Sequence, residues 1–456
     1  MSETIRNPLG TEKISALLRQ FAIPSIIAMM VGALYNMVDQ FFIGHSVGML
    51  GNAATNVAFP LTTTCTALAL LCGIGGAANF NISMGRKDPE KARRFMGNAF
   101  ALLVGLGIVL CLVARAFLEP MMVAFGATDE TLAYAMTYTG ITSFGFPFLI
   151  LTTGGTNLIR GDGSPKYSMC CNLVGALINT VLDPLFIFGF DMGMAGAAWA
   201  TVIGQAVSGL MVLLYIPRFK TLKLHLSDFR PDLKHSLPII SLGLTPFFNQ
   251  IAMMVVQIVM NNTMTFYGAQ SVYGSSIPLA CSGIIAKVGM IFFSIVIGIC
   301  QGVQPIISYN YGAGNYKRVK EALLLACKVA FGISIVAFLC FQLFPRQIVG
   351  LFGSGSEEYF QFAEQYFRIY MFFTFINFLQ PISSNFFTAV GMPKRGVFLS
   401  LTRQIIFLLP LLLILPMYMG IDGVMYSAPI ADFFAAALAI IFIKAQLQRL
   451  PDSNNE

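Results

Sequence analysis

Two aspartates lie inside long apolar segments of this 456-residue chain, where a charged side chain is costly and needs a reason. Asp39 follows Asn36 by three residues in the first apolar segment, so their side chains lie on one side of a helix. Asp183 follows Asn179 by four residues in the fifth segment, and Pro184 comes directly after it. The proline removes a backbone donor, which leaves a carbonyl about one turn earlier free to face a ligand. Such carboxylates and amides can hold a proton or a small cation.

The two acids lie at a similar depth. At a rise of ~1.5 Å per residue, Asp39 and Asp183 lie about 6 Å and 9 Å from the ends of their segments, and Thr201 in the sixth lies at about 10 Å. We expect no lysine or arginine of these six segments to neutralise them, so both carboxylates cannot stay charged cheaply. The predicted coupling site is formed by Asp39, Asp183, Asn179, Thr201 and Asn36. It would bind H⁺ or, through its oxygens, Na⁺; a hydrogen-bonded structural pair is the alternative.

The second half carries charges of both signs inside its segments. Lys287 lies in the eighth segment, Arg403 in the eleventh and Asp432 in the twelfth. Because opposite charges are available there, we expect Asp432 to pair with Arg403 or Lys287 in a structural or gating role. Pro24, some fifteen residues before Asp39, predicts either a bend that links protonation to shape or a static kink.

The composition suits a cavity for varied apolar ligands. The chain has 41 Phe, 24 Met and 15 Tyr, and such side chains adapt to apolar molecules and contact cations through ring faces. Most of them must face lipid or pack between helices. The candidates for lining a substrate cavity are two tyrosines and three amides: Tyr35, Tyr138, Gln205, Asn249 and Gln257.

Helices that cross a membrane must position these residues. Hydrophobic residues make up 56% of the chain and charged residues only 11%, against about 25% charged in soluble domains. The chain is long enough for roughly twelve membrane-spanning helices of ~20 apolar residues each. The expected spans lie near 15–43, 55–82, 93–118, 132–158, 167–189, 194–216, 236–262, 274–303, 320–344, 360–388, 395–418 and 423–445. The first is too long for a signal peptide, so we expect it to be retained.

The sequence repeats itself at half its length. The turn Gly163-x-Pro165 recurs as Gly391-x-Pro393, and Gly193 with Gly196 recurs as Gly420 with Gly423, all at an offset of 227 or 228 residues. Because each copy has an even number of spans, the copies enter the membrane from the same side and form a parallel repeat. The predicted fold is therefore an all-α membrane protein with two six-helix bundles, residues 1–217 and 236–456, joined by a linker at 218–235.

The distribution of charge predicts the orientation. Basic residues cluster in the linker and in the loops on its side, whereas the opposite loops carry Glu119, Asp129, Glu357 and Glu358. The positive-inside rule then places both termini in the cytoplasm of a bacterial inner membrane. The net charge of +7 is accordingly a topology signal, and we expect no nucleic-acid partner. We expect a monomer in the lipid bilayer.

Other chemistries find no support in the sequence. The three histidines lie in loops or at span ends, and no Walker motif occurs, so neither a metal enzyme nor direct ATP use is expected. None of the nine cysteines forms a CxxC pair. We expect no enzyme activity, no cofactor and no required metal.

The chain resembles the multidrug and toxic compound extrusion (MATE) family, most of all its bacterial MepA-like branch. The resemblance rests on Tyr35-Asn36-x-x-Asp39, Asn179-x-x-x-Asp183-Pro184 and the paired Gly-x-Pro-Lys turns. It implies a V-shaped pair of bundles that alternates access and exports cationic, amphipathic drugs and dyes in exchange for H⁺ or Na⁺. The family's cation site carries over onto Asp39, Asn179, Asp183 and Thr201. Some members use an acid in span 7, where this chain offers Asn249 and Gln257.

Two other classes of function were weighed. A flippase for lipid-linked precursors can share this architecture, and basic residues such as Lys287 and Arg403 facing a central cleft would favour it. A membrane-embedded enzyme would need a metal or nucleophile constellation, which the sequence does not offer. A cation-coupled exporter of small organic cations is the function that the sequence favours.

Overall fold

A computed structural model describes residues 7–274, 276–352 and 355–451, which are mostly helical and contain no strand. Twelve segments follow one another in this part of the chain: α1 (Ile14–Ser46), α2 (Met49–Gly85), α3 (Pro89–Ala116), α4 (Asp129–Thr142 with Phe146–Gly161), α5 (Pro165–Gly189), α6 (Gly193–Arg218), α7 (Leu233–Ala269), α8 (Ser276–Gly312), α9 (Tyr316–Leu343), α10 (Glu357–Tyr370 with Leu379–Ala389), α11 (Pro393–Met419) and α12 (Ile421–Arg449). Ten of them are long and apolar enough to cross a membrane unbroken.

The other two segments, α4 and α10, are broken where continuous spans were expected. A 3₁₀ turn at Ser143–Gly145 interrupts α4, and a second at Thr374–Ile376 lies in the break of α10. Pro147 and Pro381 stand just beyond these turns, and proline cannot bond to the carbonyl four residues earlier. The spans expected near 132–158 and 360–388 are therefore present as the fourth segment of each half, each built of two shorter helices.

The turns reproduce the sequence repeat in the backbone. Gly163 and Gly391 have φ of 85° and 77°, and Gly193 and Gly420 have φ of 53° and 60°. Residues other than glycine rarely adopt this left-handed region, so each matching pair closes the same kind of turn. The duplication predicted from the offset is thus present in the fold.

The apolar core falls into two clusters that do not follow the linker strictly. Most of α2 to α6 packs in one cluster, and most of α7 to α12 packs in the other. The beginning of α1, including Leu17 and Phe21, belongs to the second cluster, while Ile239 near the beginning of α7 belongs to the first. Each bundle therefore receives the first turns of the other bundle's leading helix.

Glycines bring the bundles into backbone contact at the end that carries the termini and the linker, which we call the closed end. A Cβ on Gly75 of α2 would overlap the carbonyl oxygen of Ile239, and a Cβ on Gly243 of α7 would overlap that of Leu71. The same holds for α8 against α1, where a Cβ on Gly298 would lie 2.6 Å from the Cα of Ile26. Only residues without a side chain permit helices to approach this closely.

Polar side chains reinforce the closed end. The Asn79 amide of α2 donates to the carbonyl oxygen of Pro238 at 3.0 Å, and that of Gln304 in α8 donates to Ile74 at 3.3 Å. Both bonds join one bundle to the other. Within an apolar setting such bonds fix the register of the helices as well as holding them together.

The linker is bonded to the first bundle rather than hanging between the two. Asp228 is fully buried and lies 3.0 Å from Arg93 Nε and 3.9 Å from Arg94 Nε of α3. The Asn98 amide donates to the carbonyl oxygen of Asp228, and its own oxygen accepts from the backbone N–H of Asp232 at 2.9 Å. The linker is therefore attached to the first bundle through α3.

A second set of hydrogen bonds holds the beginning of the linker. Asp162, in the turn after α4, accepts hydrogen bonds from the Tyr215 hydroxyl and the Lys220 backbone N–H, both at 2.7 Å. It also accepts from the backbone N–H and the hydroxyl of Thr221. One buried carboxylate thus organises the chain as it leaves α6.

Away from the closed end the facing sides of the bundles are exposed. Gln40 of α1, Asn261 of α7 and Lys287 of α8 all remain accessible on helices that touch the other bundle deeper in. A cleft therefore separates the bundles and opens at the end opposite to the termini. We call it the central cleft.

Candidate functional site

The two aspartates singled out from the sequence meet inside the first bundle. Asp183 is fully buried on α5, and Asp39 on α1 is 8% exposed. Their carboxyl groups lie close enough to interact directly. Two buried carboxylates this close repel each other when both are charged, so a proton or a small cation between them stabilises the arrangement.

The amide and the hydroxyl expected beside the acids are present. Asn179 is buried one turn before Asp183 and lies 3.4 Å from its Oδ1 and 3.3 Å from Thr201 Oγ1 of α6. Turned so that its nitrogen donates to Asp183 Oδ2 at 3.3 Å, the amide accepts from the hydroxyl and the backbone N–H of Thr201. Three helices, α1, α5 and α6, are thereby joined through one polar cluster.

Two tyrosines complete the wall of this cluster. Tyr35 lies one turn before Asp39 on α1, close enough to interact electrostatically with both acids. Tyr138 of α4 lies near the same acids, Tyr35 and Thr201. Both side chains are half-buried, so the cluster is partly accessible. We call these six residues, Tyr35, Asp39, Tyr138, Asn179, Asp183 and Thr201, the acid cluster.

Two polar atoms at or near the acid cluster are unsatisfied. Asp39 Oδ1 and Gln205 Oε1 are buried and have no hydrogen-bond partner within the described ranges. Gln205 lies one turn beyond Thr201, and its side chain packs against Gly145 at the break in α4. Arg115, the nearest basic residue of α3, donates instead to the Gly140 carbonyl oxygen at 3.0 Å. The donor set therefore fits a proton or a small cation that wants oxygen ligands.

Several residues expected near the site lie apart from it. Asn36 is exposed, and its amide donates to the Gly32 carbonyl oxygen on its own helix at 2.8 Å. On α7, the Gln257 amide donates to Asn261 at 2.9 Å, and Asn249 faces the sulfur of Met253 at 3.8 Å. These amides belong to α1 and α7 away from the acids.

The two prolines proposed as gating elements differ in their surroundings. Pro24 is buried inside α1, which continues as one helix on both sides of it. After Pro184, α5 passes from α-helical into wider π-helical turns at Leu185–Gly189. Such π turns are frequent near functional sites, and this one begins directly beside Asp183.

The second bundle contains a buried ion pair between α11 and α12. Arg403 Nε lies 2.6 Å from Asp432 Oδ1, and both side chains are almost wholly buried. The guanidinium also lies over the ring of Phe293, and Asp432 Oδ2 has no hydrogen-bond partner among the described residues. Of the two partners foreseen for Asp432, the structure uses Arg403. Lys287 remains exposed.

This pair gives a prediction about stability. Asp432→Asn leaves Arg403 buried without its counter-charge, so we expect the free energy of unfolding to fall by about 3 kcal/mol. Unfolding can be followed with a thiol-reactive dye, because Cys281 and Cys300 are buried in the native protein. The double variant Arg403→Gln with Asp432→Asn should recover part of the loss. A single variant as stable as the wild type would contradict a structural role.

The structure adds two charged residues that the sequence reasoning did not single out. Arg160 lies in the last turn of α4 and is 2% exposed; it donates to Asn157 Oδ1 at 2.8 Å. Lys328 lies in the middle of α9 and is exposed. Its position inside a predicted span was a signal available from the sequence.

Comparison with known proteins gives a family and a fold. The family model MatE matches residues 24–185 and 250–414. The multidrug export protein MepA of Staphylococcus aureus (strain MRSA252) is 25% identical over 439 residues, 96% of this chain and 95% of that protein. MepA of Staphylococcus saprophyticus is also 25% identical, over 94% and 93%. A solved structure described as the outward-facing conformation of a multidrug resistance MATE family transporter has a TM-score of 0.90 at 22% identity, over 98% of each chain. The expected twelve-segment fold is confirmed.

Proposed function

This chain belongs to the MatE family of transporters, and on that premise we propose that it exports cationic, amphipathic organic compounds in exchange for H⁺. It is a transporter and not an enzyme. The observation that carries the proposal is the acid cluster. Asp39 and Asp183 are buried side by side without a basic partner in the described part of the chain. A buried pair of acids of this kind is costly when both are charged, so we infer that it binds and releases a proton or a cation as the protein changes conformation.

We place the closed end in the cytoplasm of a bacterial inner membrane. Arg86, Lys87, Lys166, Lys317 and Lys394 all lie at or next to turns on that side. Positive charge on short loops favours the cytoplasmic face. With this orientation the central cleft opens outward, and protons from outside reach the acid cluster. Proton uptake would then favour the opposite state, in which the cleft opens to the cytoplasm and accepts substrate.

We favour H⁺ over Na⁺ as the coupling ion. A single proton shared between Asp39 and Asp183 accounts for the contact between their carboxyl groups. Na⁺ remains the alternative, since Asn179 and Thr201 add oxygen ligands beside the acids. The substrate class rests on two supports. The Staphylococcus relatives are named multidrug export proteins, and Met and aromatic side chains are abundant in this chain.

Dye efflux from proteoliposomes tests the proposal. Vesicles loaded with a permanently charged fluorescent cation would receive a pH gradient or a Na⁺ gradient, one at a time. We expect efflux several-fold faster than from protein-free vesicles under the pH gradient alone. Efflux driven only by Na⁺ would reassign the coupling ion, and efflux insensitive to both gradients would contradict antiport.

A flippase for lipid-linked precursors is the second candidate. Its support is Lys287, an exposed cation on a helix that faces the other bundle. Arg403, the other basic residue considered for this role, is engaged with Asp432. Movement of a fluorescent polyprenyl phosphate that needs neither gradient would favour the flippase over the exporter.

A further inference from the structure

Lys287 is a charged residue inside the membrane that the exporter model does not use. It lies about 16 Å from the beginning of α8, a helix of 37 residues that is longer than a hydrocarbon core of ~30 Å. Its side chain is exposed and makes no ion pair or hydrogen bond to the residues described. An intramembrane cation of this kind normally has a partner or a function.

The position of Lys287 on α8 shows where it points. It lies about three turns from Gly298, and residues so spaced share one side of a helix. Gly298 touches Ile26 of α1 in the other bundle. Lys287 therefore lies on the side of α8 that faces α1, above the contact and in the central cleft. Lys328 on α9 differs, because it lies opposite to the buried side marked by Val319.

No acidic side chain of α1, α2 or α7 is placed to neutralise Lys287. On α1, Asp39 points into the first bundle, away from the side that carries Ile26, and is held in the acid cluster. Helices α2 and α7 carry no Asp or Glu. The other exposed polar groups placed in the central cleft are amides, Gln40 on α1 and Asn261 on α7. Among the described residues of α1, α2, α7 and α8, the cleft therefore has a fixed positive charge at Lys287 and neutral hydrogen-bonding groups on α1 and α7.

We propose that Lys287 binds an anionic oxygen group, a carboxylate or a phosphate, on an otherwise amphipathic substrate in the central cleft. The inference rests on the proposed exporter function and deepens it, because it assigns part of the specificity to one residue. A substrate with both a cationic and an acidic group would satisfy the cleft better than a plain cation. The neutral amides would orient the rest of its polar surface.

A matched pair of rhodamine dyes tests this assignment. The free acid and its ester share one cationic ring system and differ only in the carboxylate. Efflux of both would be measured in proteoliposomes for the wild type and for Lys287→Met. We expect the variant to export the free acid about tenfold more slowly, the size of a lost hydrogen bond to a charged group, and the ester at the wild-type rate. Lys287→Arg should retain export of the acid.

The control is Lys328→Met, which removes the same charge from a lipid-facing position and should leave both rates unchanged. Equal effects of Lys287→Met on the acid and the ester, or no effect on either, would overturn the proposal. A fluorescent polyprenyl phosphate added as a third substrate separates the two anions. If only its movement depends on Lys287, the bound group is a lipid phosphate. If the wild type exports none of the dyes, the exporter function itself fails.

Discussion

Replacing either Asp39 or Asp183 with asparagine is expected to reduce gradient-driven efflux to less than about a tenth of the wild-type rate. Asparagine has nearly the shape of aspartate but cannot exchange a proton. Both acids are buried in contact with each other, so removing one also removes the shared position for the proton. Substrate binding should survive, because the central cleft lies on another side of α1. Efflux and equilibrium dye binding, measured on the same preparations, check both parts.

The matched control is Asp191→Asn, which makes the same change at an exposed position between α5 and α6. It should transport like the wild type. Wild-type efflux by both the Asp39 and the Asp183 variants would mean that the acid cluster is structural. A variant that also loses dye binding would point to a disturbed bundle rather than to lost coupling.

Adding one methyl group at Gly243 is expected to lower the export rate about tenfold or more. The new Cβ would overlap the carbonyl oxygen of Leu71, where backbone meets backbone and no side chain can move aside. Overpacking of this kind costs about 1–3 kcal/mol, and each 1.4 kcal/mol changes a two-state equilibrium about tenfold. The population should therefore shift away from the state that is sealed at the closed end.

Hydrogen–deuterium exchange can detect that shift directly. Amides in residues 236–245 should exchange faster in Gly243→Ala than in the wild type, even without substrate. Gly332→Ala is the control, because a Cβ there meets nothing within 4 Å. If Gly243→Ala exchanges and transports like the wild type, close packing at the closed end does not set the conformational balance.

Composition and periodicity were sufficient to predict the helical segments and their duplication. Long apolar runs have few other stable structures in a membrane, and glycines with positive φ mark the same turns in both halves. The acid cluster was also foreseeable. Asp39 and Asp183 are costly in apolar segments, and their similar depth suggested that they meet.

The sequence alone could not reveal features that depend on the neighbouring helix. Asn36 and Asp39 share a side of α1 by spacing, yet only Asp39 is buried, because the two are a partial turn apart at the edge of the bundle. The partner of Asp432 could not be predicted, because it depends on whether α12 packs next to Arg403 or next to Lys287. To predict the breaks in α4 and α10, the helix-breaking effect of a proline would have to be weighed against a strongly apolar segment.

The exchange of leading turns between the bundles has a consequence for how the protein is made. The first turns of α1 enter the membrane at the start of synthesis, yet their neighbour at Ile26, Gly298, follows about 270 residues later. At ~5–20 residues per second, this part of α1 waits roughly 15 to 55 s for its partner helix. During that interval, lipid or the insertion machinery must cover the side that will contact α8. The beginning of the first helix to be inserted thus reaches α8 only when more than half of the chain has been made.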